Sequence, residues 1–163
     1  KILMPSTPYD AKGLMLAAIA DNNPVFIFEH RWCMRKKGDV PEGIYEVPLG
    51  KGVYRRNGKD ITVVGTSHTL EVAIEAVDEL GKEGISADVI DLRTLKPLDE
   101  EIIFESVKRT GRILVVDSGW QLGGVCAEIC CMVAEKAFHD LKGPVRRVGL
   151  PDVPTPAGFT LEQ

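Results

Sequence analysis

Residues 61–116, ITVVGTSHTLEVAIEAVDELGKEGISADVIDLRTLKPLDEEIIFESVKRTGRILVV, decide the fold. Three largely apolar runs, Ile61-Thr62-Val63-Val64, Ala87-Asp88-Val89-Ile90 and Ile113-Leu114-Val115-Val116, are separated by two stretches of helical period. In the first stretch Leu70, Ala73, Ile74, Val77 and Leu80 share one face, while Glu71, Glu75, Asp78, Glu79 and Lys82 fall mostly elsewhere. Gly81 and Gly84 are candidate terminators. Pro97-Leu98-Asp99 opens the second stretch, which runs through Ile103, Phe104 and Val107 and stops at Gly111. Apolar runs without alternation belong to strands covered on both faces. Such strands alternating with helices give an α/β domain with a mostly parallel sheet.

Toward the C-terminus a glycine loop, Gly119 to Gly124, leads into a long helix through about His139, a short strand Pro144–Val148 and a proline-rich tail. Toward the N-terminus the Asn57-Gly58 turn separates Val53–Arg56 from the first core strand. Residues 32–48 have no sustained period and read as a linker, with Arg35-Lys36-Lys37 as a solvated face. Residues 1–31 read as strand, helix, strand. Thr7 caps the helix, Pro8 takes its first position and Asp10 completes a capping-box-like pair. Val25-Phe26-Ile27-Phe28 is expected to be a strand buried on both faces. The expected architecture is a three-layer α/β sandwich with a mostly parallel sheet over residues 49–163, preceded by a partial βαβ unit over 1–31.

Composition narrows the function classes. The 163 residues carry 20 Lys+Arg against 24 Asp+Glu, a net charge of −4, which argues against nucleic acid or an anionic membrane as the main partner. No apolar run approaches the ~18 residues of a membrane span. Lys1–Pro5 is too short for a signal peptide, and the cysteines Cys33, Cys126, Cys130 and Cys131 have neither disulfide-scaffold nor zinc spacing. A reducing intracellular compartment, the cytoplasm or else the mitochondrial matrix, is the expectation.

Few residues stand out as chemical groups. His30, beside Glu29 and Arg31, follows a strand, and strand C-terminal ends border ligand crevices in α/β sheets. An ion-pair cluster at a domain edge is the plainer reading of that trio. His68 lies between a strand end and a helix start; His139 ends a helix and receives no role. The Gly119–Gly124 loop could hold an anion on backbone N–H groups or simply allow close helix packing. It is neither a dinucleotide fingerprint nor a Walker loop. The helix after it is apolar around most of its circumference from Val125 to Phe138, which suggests burial on more than one side and contact with another chain. Its cysteines read as packing residues. Taken alone, these residues describe an α/β domain with an interface helix and no self-contained active site.

Several strings together resemble a known family. Pro5-Ser6-Thr7-Pro8-Tyr9-Asp10-Ala11-Lys12-Gly13-Leu14, Asp91-Leu92-Arg93-Thr94-Leu95-Lys96-Pro97-Leu98-Asp99 and Gly119-Trp120 through Gly123-Gly124 to Ile129 are similar to β subunits of 2-oxo acid dehydrogenases. The resemblance covers essentially the whole chain, ending with Pro151-Asp152-Val153-Pro154. It implies part of an α₂β₂ component that decarboxylates a 2-oxo acid, pyruvate first among them, on thiamine diphosphate with magnesium and passes the acyl group to lipoyl domains of an acyltransferase core. The cofactor would supply the carbanion chemistry. The family's activating glutamate and acyl-handling histidine lie upstream of the string at Pro5, and a further segment follows the position of Leu161-Glu162. The expectation is therefore a piece of such a subunit, the end of a pyrimidine-binding domain plus a transketolase-type C-terminal domain. It would supply subunit interface and active-site framing, with no catalytic residues and no activity alone.

The resemblance also implies a potassium site at the turn Ala18-Ile19-Ala20-Asp21-Asn22-Asn23. Ala18 and Ile19 would offer carbonyls, and Asp21 and Asn23 would supply oxygen ligands or hold the turn. Oxygen-only ligation suits a hard cation. Read from the residues alone, the same turn is a helix C-terminus capped by Asp and Asn. Lys142 stands where several relatives have an acidic residue near the acyltransferase-docking surface. Rival readings are an acetoin dehydrogenase β subunit, another transketolase relative such as a deoxyxylulose-phosphate synthase, and a free-standing dimerisation module built on the Val125–Phe138 helix.

Overall fold

The computed structural model describes residues 1–154, so the tail beyond Pro154 and the position of Leu161-Glu162 lie outside the described residues. The chain opens with β1 (Ile2–Leu3), α1 (Pro8–Ala20) and β2 (Phe26–Ile27), and β1 and β2 pair in parallel. The start of α1 is as the sequence implies. Thr7 Oγ1 accepts from the Asp10 amide at 3.1 Å and donates to the Asp10 carboxylate at 2.6 Å, with Pro8 in the first turn.

The expectation that Val25–Phe28 is covered on both faces fails. Val25 and Ile27 turn inward toward Leu3 and Leu14, whereas Phe26 and Phe28 are 63% and 54% exposed and stack on each other. A strand with one covered face alternates, and here α1 covers only one. The small sheet is completed by β6 (Thr94–Lys96), which runs antiparallel to β1 and gives the order β2-β1-β6. This strand has no counterpart in the sequence reading, since three residues abutting Pro97 carry too little period to register.

The larger sheet contains β3 (Val53–Arg56), β4 (Ile61–Gly65), β5 (Ala87–Asp91), β7 (Ile113–Trp120) and β8 (Arg146–Leu150), in the order β3-β5-β4-β7-β8. Every pairing is parallel except that of the edge strand β3 with β5. On one face α3 (Glu100–Thr110) and α4 (Val125–Lys136) pack Ile103, Val107, Ile129 and Val133 against Val64, Ile90 and Val115. On the other, α2 (Ser67–Gly81) packs Leu70, Ala73 and Val77 against Val63 and Val89. The protein is thus an α/β three-layer sandwich. Gly111, at φ +75°, closes α3 in the left-handed conformation, and its amide bonds to the Val107 carbonyl at 2.7 Å.

Three further boundaries differ from expectation. β7 continues to Trp120, taking Gly119 out of the loop, because Leu150 of β8 extends the pairing. The last helix ends at Lys136, and Phe138–Asp140 form a separate 3₁₀ turn. Nor is α4 buried around its circumference: Cys126, Ile129, Cys130, Met132 and Val133 meet the sheet, while Glu128, Cys131, Ala134 and Glu135 face solvent. Small residues on the outer side made the helix look more enclosed than it is. Residues 32–48 contain one 3₁₀ turn, Cys33–Arg35, and they lie on α1. Val47 is buried there, its amide bonded to the Gly13 carbonyl, and Tyr45 stacks on Tyr9 at 4.7 Å.

Candidate functional site

The chemistry-bearing side chains gather where the leading β1-α1-β2 unit meets the larger sheet. Asp10, in the first turn of α1, and Asp91, at the end of β5, are both fully buried, and Arg55 of β3 reaches both carboxylates. Its Nη2 stands 2.7 Å and its Nε 3.2 Å from Asp91 Oδ2. Ser6 Oγ donates to Asp91 Oδ1 at 3.0 Å, and the Arg93 amide donates to the same oxygen at 3.1 Å. Arg93 Nη2 lies 2.9 Å from Asp10 Oδ1, close enough for an ion pair but off the axis of a hydrogen bond, so Asp10 Oδ1 and Arg93 Nε have no hydrogen-bond partner. Burial pushes the Asp91 carboxyl above its ordinary pKa, with Arg55 opposing. Two buried carboxylates against two guanidiniums are balanced in charge, and neither carboxylate is free to act as a base.

Beside this joint the structure brings together two histidines that the sequence places 38 positions apart. His30, just past β2, and His68, in the first turn of α2, stack with centroids 4.9 Å apart and planes 20° apart. Trp32 lies 6.3 Å from His68, and Arg35 covers the Trp32 ring at 5.3 Å. His68 Nδ1 is 3.3 Å from Glu71 Oε2, and Lys36 Nζ is 2.9 Å from the same oxygen. Partial burial alone would raise the Glu71 carboxyl, but Lys36 and His68 hold it below its ordinary value. Burial, then the charge of His68, lowers His30. Of the basic triplet, only Arg35 and Lys37 face solvent; Lys36 turns inward. Cavities of about 350 and 270 Å³ flank this point and share Ser6, Thr7 and Lys36 as a wall. Glu29 lines the larger cavity, and the Glu29-His30-Arg31 trio forms no ion pair among the described residues.

The turn after α1 holds Ala18, Ile19, Asp21 and Asn23 close together. The Asp21 amide donates to the Ala18 carbonyl at 3.3 Å, and Asp21 Oδ1 accepts from the Asn23 amide at 2.8 Å and from Asn23 Nδ2 at 3.0 Å. Asp21 Oδ2 is paired with the Lys1 ammonium, and that bond together with those from Asn23 keeps the carboxyl well below the ordinary carboxylate range. No group of three or more His, Cys, Asp or Glu side chains converges on a metal position among the described residues. Lys142 lies along Gly111, and its amide bonds to the Gly111 carbonyl. The buried thiols of Cys126 and Cys130 are raised by desolvation, Cys126 to about 12, which suits packing. Among the described residues no helix is long and apolar enough to cross a membrane.

A second buried polar cluster escaped the sequence reading. Asp88, fully buried in β5, accepts from Ser106 Oγ at 2.6 Å, from the Gly58 amide at 2.9 Å and from Arg109. Asp88 interrupts an apolar run, and that interruption was the available signal. Thr62 joins the cluster through Ser106 and Thr110.

Comparison with known proteins places these features. The transketolase C-terminal domain matches residues 50–163. Over 99% of its length the chain is 43% identical to acetoin:2,6-dichlorophenolindophenol oxidoreductase subunit beta of Bacillus subtilis (strain 168), of which it covers 47%. Over its whole length it is 44% identical to 2-oxoisovalerate dehydrogenase subunit beta of the same organism, covering 50%, and over 96% it is 42% identical to the pyruvate dehydrogenase E1 component subunit beta, covering 48%. The chain spans about half the length of the curated relatives it matches. Among solved structures, a split-gene transketolase described as an inactive beta4 tetramer superposes with a TM-score of 0.76 at 26% identity, over 93% of this chain and 48% of that one.

Proposed function

Because the chain belongs to the transketolase C-terminal domain family, we propose that it is the C-terminal half of the β subunit of a 2-oxo acid dehydrogenase decarboxylating component. The observation that carries this reading is the reach of the match. The relatives named subunit beta align from the first residues onward, through the β1-α1-β2 unit that the domain match at 50–163 leaves out. The Asp10–Arg55–Asp91–Arg93 joint supports it, since that joint binds this extra unit to the sandwich. In this reading residues 1–31 end a pyrimidine-binding domain, 32–48 link, and 49–163 form the C-terminal domain.

The complete protein would pair with an α subunit and a second β subunit as α₂β₂ and deliver acyl groups to a lipoyl acyltransferase core. Thiamine diphosphate with magnesium, when bound, supplies the carbanion chemistry. This half of the subunit holds the interface and frames the entrance. It is inactive alone, and it works in the bacterial cytoplasm or the mitochondrial matrix. The test is substrate-dependent reduction of dichlorophenolindophenol by the full-length protein co-expressed with an α subunit. The reading expects turnover of pyruvate or 2-oxoisovalerate that requires both subunits and thiamine diphosphate. Turnover of acetoin alone would move the assignment to the acetoin enzyme, which the 43% match favours as the second reading. No turnover of any of the three would overturn it.

Potassium at Ala18, Ile19, Asp21 and Asn23 belongs to the same proposal. The donor set fits in kind: every donor is oxygen, the site lies at the negative end of α1, and Asp21 already faces one monovalent cation, the Lys1 ammonium. Thermal unfolding in potassium against sodium chloride at equal ionic strength tests it. Selective stabilisation by potassium that Asp21→Ala abolishes supports the site, and equal melting in both salts removes it.

A further inference from the structure

We propose that the His30–His68 stack is an acid-opened latch, holding the segment after β2 on the N-terminus of α2 while the rings are neutral and releasing it when both are protonated. The two rings belong to different parts of the fold: His30 follows the small sheet, and His68 opens a helix of the large sandwich. Their contact therefore spans the joint beside the flanking cavities rather than decorating a single element.

The arrangement suits a neutral His30 ring. The Trp32 amide N–H donates to His30 Nδ1 at 3.4 Å, a role open only to an unprotonated nitrogen. Protonation there sets two N–H groups against each other. His68 sits in the first turn of α2, and its Nδ1 lies 3.3 Å from the Glu71 carboxylate one turn later. Among the described residues Glu71 is the carboxylate bonded to the stack, through His68, and Lys36 already shares it at 2.9 Å. The other charged groups nearby are Arg35, over Trp32, and Glu29 and Arg31, which flank His30 in sequence; Cys33 faces Ser67 at 3.7 Å. With both rings charged, Glu71 would stand against His30, His68 and Lys36, and two imidazolium centroids would lie 4.9 Å apart.

The backbone adds tension at the same place. Ser67, immediately before His68, has φ +53°, and Arg93, across the joint, has φ +60°; these are the non-glycine residues with positive φ among the described residues. Such conformations persist where surrounding contacts hold them, so loosening the stack removes one restraint on Ser67.

The sign of the pH effect follows from linkage. Burial and the neighbouring ring depress His30 below its ordinary 6.5, so the contact is fully stabilising above that pH and weakens as pH falls through the lower folded value. Hydrogen exchange of the full-length protein between about pH 7.5 and 5, corrected for intrinsic rates, reads the latch over residues 29–36. Protection there is expected to drop about tenfold on acidification while the α3 amides stay unchanged. His30→Phe, which keeps an aromatic ring but no titrating nitrogen, is expected to abolish that drop. Should His30→Phe fail to fold, His68→Phe serves the same purpose, and the imidazole proton resonances of the unsubstituted protein report directly on whether the pair titrates cooperatively. Protection independent of pH, a response that survives both substitutions, or two independent titrations would each overturn the latch.

Discussion

Replacing Arg55 by Met removes one guanidinium from between two fully buried carboxylates, and the contacts state where the loss falls. Asp10 keeps the Thr7 hydroxyl on Oδ2 at 2.6 Å and Arg93 beside Oδ1 at 2.9 Å. Asp91 keeps Ser6 and the Arg93 amide, but both act on Oδ1. Its Oδ2, which accepts from Arg55 at 2.7 and 3.2 Å, is left with no donor among the described residues. Breaking a buried ion pair from one side costs about 3–5 kcal/mol. Because Asp10 stays paired, Arg55→Met belongs at the lower end, about 3 kcal/mol, or a fall in melting temperature of roughly 6–12 °C for a chain of this size.

The penalty depends on pH in a definite direction. Burial already raises Asp91 above its ordinary 3.8, with Arg55 as the largest opposing influence, and without Arg55 it rises further. A carboxyl raised in the folded state contributes fully below its unfolded value and loses that contribution as pH climbs through the folded value. The cost of Arg55→Met is therefore expected to be larger at pH 8 than at pH 5, because acidification favours the protonated form of a carboxyl whose burial already raises it. Urea unfolding at both pH values measures it, and Asp91→Asn added to Arg55→Met is expected to recover more than half of the loss at pH 8. A cost below about 1 kcal/mol at pH 8, typical of an exposed pair, would refute the reasoning. So would a cost that does not change with pH.

Three other substitutions probe separate parts of the fold. In Gly13→Ala the new Cβ would stand 2.5 Å from Val47 Cγ2 and 2.8 Å from Tyr45 Cε2, so overpacking of about 1–3 kcal/mol is expected to outweigh the roughly 1 kcal/mol gained in helix propensity, as read by urea unfolding. Asp88→Ala strips Ser106, the Gly58 amide and Arg109 of their common acceptor and should cost about 3 kcal/mol, with Asp88→Asn milder. Alkylation by iodoacetamide at pH 8, followed by mass spectrometry, should reach Cys131 before Cys126 and Cys130. The Glu135 carboxylate raises the Cys131 thiol, so Glu135→Gln should accelerate it.

How far the sequence discloses this protein depends on the range over which each signal acts. Period and punctuation act over a few residues, which is why α2 and α3, the strands β4 and β5, the Thr7 cap and the Gly111 stop are all visible in it. Burial of a strand on one face or two depends on what the rest of the chain lays over it, so Val25–Phe28 misled, and so did the small residues on the outside of α4. The joint is the extreme case. Ser6 and Asp91 are 85 positions apart and Arg55 and Asp10 are 45 apart; nothing local marks a lone Asp in a helix start as the partner of a lone Arg in an edge strand. Yet two of the strings that carry the resemblance, Pro5–Leu14 and Asp91–Asp99, supply Ser6 and Asp10 on one side of the joint and Asp91 and Arg93 on the other. Thr94 and Asp99 extend it, bonding the Gly50 and Gly52 amides at 3.2 and 3.0 Å. Removing one partner from such a buried charge pair is costly, so these residues of the two strings hold the leading unit to the sandwich. A change within the joint should accordingly show itself first in stability.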